Sequence, residues 1–278
     1  MSGGSWDGVA LQGNAVTNSK IKFDNVAFTY TPPNGRPVKA LEKVAFDIAK
    51  DEFVTIVGPS GCGKSTLLYL LGGFLPLQQG QILVNDRKVT APGPDRGIVF
   101  QHFALFPWKT VRQNVLYGLE RKKMDSAQRQ ELAQKYIDLV KLTGFEDSWP
   151  AQLSGGMKQR VAIARTLVTD PDVLLMDEPF GALDAQTRGL LQEELLAIWG
   201  STRKTVLFVT HDVHEAVLLS DRVVVMSARP GRIKTTLNIE LPRPRTPEVA
   251  RTPRFVDHCQ EIWDLVREEA LAASGVKP

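Results

Sequence analysis

The stretch Gly58-Pro59-Ser60-Gly61-Cys62-Gly63-Lys64-Ser65-Thr66 concentrates residue types that do chemistry on phosphates. Glycines let a backbone curl until successive N–H groups point inward. Such donors, beside the positive end of a following helix, suit a polyphosphate. Lys64 is spaced to reach the β- and γ-phosphates, and the Ser65 hydroxyl to bind Mg²⁺. A glycine-rich turn that merely contains Lys-Ser is the plain alternative. The flanks argue against it: residues 53–57 are a β-branched apolar run that reads as a buried strand, and residues 67–71 read as a helix.

Further candidates stand at the ends of apolar runs. Asp177 and Glu178 directly follow Val173-Leu174-Leu175-Met176. An acidic residue ending such a strand can steady Mg²⁺ and its waters, and the next carboxylate can polarise an attacking water. Both could instead be capping or solvated carboxylates, but ligands collect at the carboxyl ends of strands in open α/β sheets. The same rule promotes His211, which follows residues 205–210, above a structural histidine; a neutral imidazole there can hydrogen-bond a γ-phosphate. Gln101 ends the run 97–100, where its amide oxygen can ligate Mg²⁺ and its NH₂ can hold water. Tyr30 ends the first strand and can stack on a purine, with Phe28 as its rival and core packing as the plain reading. In Leu153-Ser154-Gly155-Gly156-Met157-Lys158-Gln159-Arg160, Ser154 is a good helix N-cap and two glycines leave N–H groups bare beside it. A plain capped helix explains that stretch on its own. Two anion-binding helix starts in one chain suggest that the second serves a nucleotide on another copy of the protein.

Composition bounds the rest. The 278 residues are 43% hydrophobic and 23% charged, ordinary for a globular protein with a substantial core. A net charge of +3 is too mild to argue for nucleic acid or an anionic membrane. Cys62 sits inside the phosphate loop and Cys259 far from it, so both read as free thiols in a reducing compartment. No secretory signal is visible. The uncharged stretch 65–85 is broken by Gly72, Gly73, Pro76 and Gly80, so it is a helix plus a turn rather than a membrane span.

Elements must position these residues. Residues 1–20 are rich in Gly, Ser and Asn and predict disorder. Strands are expected at 21–30, 44–48, 53–57, 81–84, 97–100, 173–176, 205–210 and 222–226, with a turn at 31–37. Between residues 102 and 169 the pattern turns helical. Leu132, Tyr136, Leu139 and Val140 share one face there, and Gly144 is placed as that helix's C-cap. Leu191, Leu195, Ile198 and Trp199 form a second helix face behind Asp184 as N-cap, and residues 211–219 make a short helix. The alternation implies right-handed βαβ units and a mostly parallel sheet. Residues 241–254, with four Pro and four Arg, read as an extended linker rather than a polybasic membrane contact. A last helix presents Phe255, Cys259, Ile262, Trp263 and Val266 on one face.

Taken together these motifs resemble the ATP-binding subunit of an ABC transporter over residues 21–240. The resemblance rests on the Walker A stretch 58–66, the Gln101 loop, the LSGG signature at 153–160, Walker B at 173–179, Ala182-Leu183-Asp184 as D-loop and His211 as switch histidine. It implies an α/β P-loop NTPase cassette: a RecA-like core, an antiparallel β subdomain, a helical subdomain at about 102–169 and a short helical tail at 241–278. It implies a head-to-tail dimer, most simply a homodimer. ATP and Mg²⁺ lie between one subunit's Tyr30, Walker A residues, Gln101 and Asp177 and the other's Ser154, Gly155, Gly156 and Asp184, with Lys64, Glu178 and His211 catalytic. Asp177-Glu178-Pro179-Phe180-Gly181-Ala182-Leu183-Asp184 looks like the importer type, and Leu105-Phe106-Pro107-Trp108-Lys109-Thr110-Val111 is similar to bacterial nitrate, taurine and aliphatic sulfonate importers. The loop 103–111 is then expected to meet transmembrane permease subunits at the cytoplasmic face of the inner membrane, with a periplasmic or lipoprotein substrate-binding protein as indirect partner and no nucleic acid. The tail after about residue 240 does not match the large regulatory domain of sugar importers, and the turn at 31–37 is longer than usual. A non-transport ABC ATPase, a small-molecule kinase and a catalytically silent subunit are the rival classes.

Overall fold

The computed structural model describes residues 19–33 and 35–274; most of the N-terminal segment expected to be disordered lies outside them. Two sheets organise the chain. Strands β1 (Ser19–Tyr30), β2 (Val38–Ala49), β4 (Gln79–Val84) and β5 (Arg87–Lys88) form an antiparallel sheet in the order β2-β1-β4-β5. The second sheet runs β10 (Ile233–Asn238), β9 (Arg222–Met226), β3 (Phe53–Val57), β8 (Thr205–Val209), β7 (Val173–Asp177), β6 (Arg96–Val99). It is parallel except for β10, which pairs antiparallel with β9.

The central strands are buried on both faces, which is why they read as continuous apolar runs. Alternate residues feed two cores. Val54, Ile56, Val173, Leu175, Leu207 and Val209 face the antiparallel sheet across helix α1 (Lys64–Gly72), whose Leu67, Leu68, Leu70 and Leu71 fill the gap. Phe53, Val57, Leu174, Met176, Val206 and Phe208 face the opposite core. There they meet α4 (Gly155–Leu167), α5 (Ala185–Thr202) and α6 (Val213–Leu219), with α2 (Val111–Tyr117) and α3 (Ser126–Leu139) beyond.

Several expectations shift. Ser19 and Lys20 already belong to β1, and Lys20 pairs with Asp172 at 3.0 Å. β2 begins six residues earlier than expected, because Val38 to Lys43 are held by pairing to β1. β10 has no apolar run to announce it and exists as an edge strand. Residues 102–110 are irregular rather than helical. Asn114, fully buried on α2, shapes them: its amide donates to the carbonyls of Phe106, Lys109 and Thr110 and accepts from the Phe106 N–H. On α3 the buried positions are Ala133 and Ile137, followed by Val140 at the cap, while Leu139 is exposed. Val140 is the C-cap of α3, and Gly144 lies in the following turn.

Residues 241–254 are not a free linker. Arg245 is buried and its guanidinium donates to the carbonyls of Val217, Leu218, Ser220 and Ile239 at 2.5–3.2 Å. Arg243 bridges to Asp221 and stacks on Trp199, 4.1 Å from the ring centroid. The segment is a strap. It leads into α7 (Pro253–Ser274), which buries Phe255 and Ile262 and leaves Trp263 outside, 54% exposed.

Candidate functional site

Strand register brings the chemistry together. Asp177 pairs with Val209 and Ile56 with Val209, so β3, β7 and β8 end side by side. Val99 pairs with Met176, which sets the residues after β6 beside Asp177 and Glu178. Loops leaving these ends carry the phosphate loop, Gln101, Glu178 and His211.

A cavity of about 410 Å³ opens here, walled by Tyr30, Val38, Ala40, Ser60, Gly61, Gly63, Lys64, Ser65, Thr66, Gln101, Glu178 and Arg229. Gly63 is the N-cap of α1 at φ +108°, in backbone space that L side chains rarely adopt. A Cβ there would stand 2.7 Å from Leu41 Cδ2 and 3.0 Å from the Ala40 oxygen. No side chain caps this helix, so its first N–H groups are left for a ligand. Gly58, Pro59 and Cys62 act from the framework: Lys64 Nζ donates to the carbonyls of Gly58 and Pro59 at 2.9 and 3.1 Å, and Cys62 is buried behind the loop. Burial pushes the Cys62 thiol pKa up, and both cysteines are free. The bare helix tip and the lysine fit a polyphosphate.

The nearly buried Asp177 carboxylate accepts from Ser65 Oγ at 2.8 Å and from the Tyr69 hydroxyl at 2.7 Å. Tyr69 was not anticipated, although it lies four residues after Ser65 and hence on the same helix face. Burial, then the bond to Asp177, raises its phenol pKa. Among the described residues no cluster of three or more His, Cys, Asp or Glu side chains could hold a metal. One carboxylate and one hydroxyl oxygen fit Mg²⁺, which completes its shell with waters and substrate phosphates.

Glu178 Oε2 lies 2.9 Å from His211 Nδ1. The backbone of Glu178 is left-handed, φ +44°, and its N–H donates to the Val209 carbonyl. A non-glycine residue held there turns its side chain off the strand toward the cavity. Gly181 lies beside both side chains: a Cβ there would stand in ordinary contact with Gln101 Nε2 at 3.7 Å and Glu178 Oε2 at 3.8 Å. Tyr30 bonds Thr66 Oγ1 at 3.1 Å, packs edge-on against Phe28 and leaves its ring 42% exposed on the cavity wall.

Four candidates are elsewhere. Ser154 caps α4, accepting from the Met157 N–H. Gly155 and Gly156 pack on Leu183 and Thr187, where a Cβ on Gly156 would come within 2.4 Å of Thr187. Asp184 caps α5 through the N–H groups of Gln186 and Thr187, and those bonds hold its pKa down. None of the four lines the cavity. Arg229, which does, carried no motif signal; it reaches Gly61 from 168 positions away.

A family model described as ABC transporter matches residues 41–181. An uncharacterized ABC transporter ATP-binding protein of Methanocaldococcus jannaschii is 51% identical over 91% of this chain and 93% of its own length. The nitrate import ATP-binding protein of Synechocystis is 49% identical over 83% of this chain and 89% of its own. The taurine import ATP-binding protein of Rhizobium johnstonii is 46% identical over 87% and 94%. Among solved structures, the ATP-binding cassette MJ0796, a dimer in a post-hydrolysis state bound to ADP and Pi, superposes with a TM-score of 0.70 at 32% identity, covering 80% of this chain and 99% of that one.

Proposed function

This chain belongs to the ABC transporter family, and on that premise we propose that it is the ATP-hydrolysing subunit of an importer for a small oxyanion of the nitrate, taurine or sulfonate kind. One observation carries the reading: Lys64, Ser65 and Glu178 line one cavity, with Asp177 bonded to Ser65 and His211 to Glu178, while a second helix tip, capped by Ser154, lies outside it. Relatives named for nitrate and taurine import support the substrate class.

ATP enters with its purine against Tyr30 and its phosphates over the uncapped tip of α1. Lys64 exchanges the carbonyls of Gly58 and Pro59 for phosphate oxygens. Ser65 and Asp177, with Gln101, would hold Mg²⁺, which when bound would neutralise charge developing on the phosphates. Glu178 accepts a proton from the attacking water. His211 fixes the orientation of the Glu178 carboxylate and supplies a hydrogen bond to the γ-phosphate. Ser154, Gly155, Gly156 and Asp184 act on the nucleotide of a second subunit, so each triphosphate binds two copies and favours the closed dimer. Hydrolysis removes that bridge, and closure is transmitted through the loop 103–111 to permease subunits at the cytoplasmic face of the membrane. No helix among the described residues is long and apolar enough to cross a membrane, which supports a peripheral subunit.

The test is sedimentation of the Glu178→Gln protein with saturating Mg-ATP, alone and with its permease. A nucleotide-dependent dimer is expected; a monomer under both conditions refutes the two-copy site.

A further inference from the structure

Arg229 stands at the rim of the nucleotide cavity and belongs to none of the motifs above. Its Nε and Nη2 both donate to the Gly61 carbonyl, at 3.1 and 3.0 Å. No carboxylate pairs with it among the described residues, so its charge faces the cavity uncompensated. A guanidinium has five N–H donors, and one carbonyl leaves the Nη1 pair free. Gly61 sits at φ +74°, backbone space that favours glycine, and a Cβ there would stand 2.9 Å from Arg229 Nη2.

The loop that delivers this arginine is fixed at both ends. Gly231 N donates to the Ala40 carbonyl and Glu42 N to the Gly231 carbonyl, tying the loop to β2. On the other side Ala228 N donates to Glu269 Oε2, 2.9 Å away on α7, and Glu269 is itself held by Lys234 at 2.9 Å. Burial alone would raise the Glu269 pKa, but the Lys234 ammonium, with the Ala228 N–H, brings it below its ordinary value. The terminal helix therefore braces the loop that sets a cation beside the phosphate loop.

We propose that Arg229 is a ligand of the nucleotide phosphates and that Glu269 positions it. The proposal rests on the ATP reading. Guanidinium groups bind phosphate oxygens through paired, charge-assisted hydrogen bonds, and this one lies next to the loop that would hold them.

The experiment measures binding of ATP, ADP and AMP by fluorescence titration to wild type, Arg229→Ala, Arg229→Lys and Glu269→Gln, each first checked by thermal melting in the absence of nucleotide. Expected for Arg229→Ala is about tenfold weaker binding of ATP and ADP, with AMP affected less than threefold, because a charged bond to the outer phosphates is lost. Arg229→Lys keeps charge but not the fork and should recover part of the loss. Glu269→Gln should show the same ATP-over-AMP pattern at smaller size, about two- to threefold, which a merely structural role for α7 would not produce. Equal affinities for wild type and Arg229→Ala overturn the proposal and leave the ATP reading standing. Equal losses for ATP and AMP overturn the phosphate assignment. Failure of wild type to bind ATP at all overturns both.

Discussion

Glu178 Oε2 and His211 Nδ1 are 2.9 Å apart, yet they come from different strands and differ in exposure, 21% for the carboxylate and 62% for the imidazole. The half-sheltered carboxylate is fit to take a proton from water, and the exposed ring fixes its direction. Glu178→Gln should bind ATP normally and lower turnover by about 10²–10⁴-fold, the usual worth of a general base. His211→Ala should fall in the same direction through lost orientation. Phosphate release by the assembled transporter, alongside nucleotide binding, checks both; wild-type turnover by Glu178→Gln would remove it from the base role.

Lys64 Nζ is spent on two backbone carbonyls and must trade them for phosphate oxygens. Lys64→Ala should weaken ATP binding by about 10–100-fold through the loss of charge-assisted bonds. It should also abolish the rise in melting temperature that saturating ATP gives the wild type, since that rise follows from ligand binding to the folded state.

Trp108 is 68% exposed and packs only loosely, 5.7 Å between ring centroids, on Phe106. A bare tryptophan on a loop shaped from beneath by Asn114 suits a partner rather than the core. Trp108→Ala should change stability by no more than about 0.5 kcal/mol and spare nucleotide binding. Copurification with the permease should drop sharply, and undiminished copurification would assign the docking surface elsewhere.

Arg245→Ala removes donors from four buried carbonyls at once. A loss of about 2–4 kcal/mol is expected: the Ile239 carbonyl keeps the Leu241 N–H, but buried acceptors that lose their donor bear a desolvation cost. The urea midpoint of unfolding reads it directly.

Glu215 supplies a pH signature. It is buried, accepting from Thr210 Oγ1 at 2.6 Å and Gln192 Nε2 at 3.1 Å. Burial, reinforced by the charge of Asp212, raises its pKa above 4.5, although the bond from Thr210 and the nearby Arg188 oppose the shift. The folded state then holds a proton that the unfolded chain has released. Stability is greatest below the unfolded value and falls as pH rises through the raised folded one. Glu215→Gln cannot titrate, so its urea midpoint relative to wild type should improve as pH rises above the ordinary carboxylate range.

The sequence alone determined the motifs and the strands that carry them. The loop 58–66 sits between a β-branched run and a helix, and Asp177, His211 and Gln101 each stand at the end of an apolar segment. Such features are local: a strand buried on both faces reads as a mostly apolar run, and a helix whose N-cap is glycine has no side chain to cap it. Tertiary structure decided what depends on neighbours distant in the chain. Ile233–Asn238 is a strand only because β9 offers an edge, and residues 241–254 are a strap only because four carbonyls await Arg245. Arg229 joins the cavity only because the loop after β9 folds back over Gly61. Composition cannot distinguish a proline- and arginine-rich linker from a clamp, since the difference lies in backbone acceptors contributed by other segments.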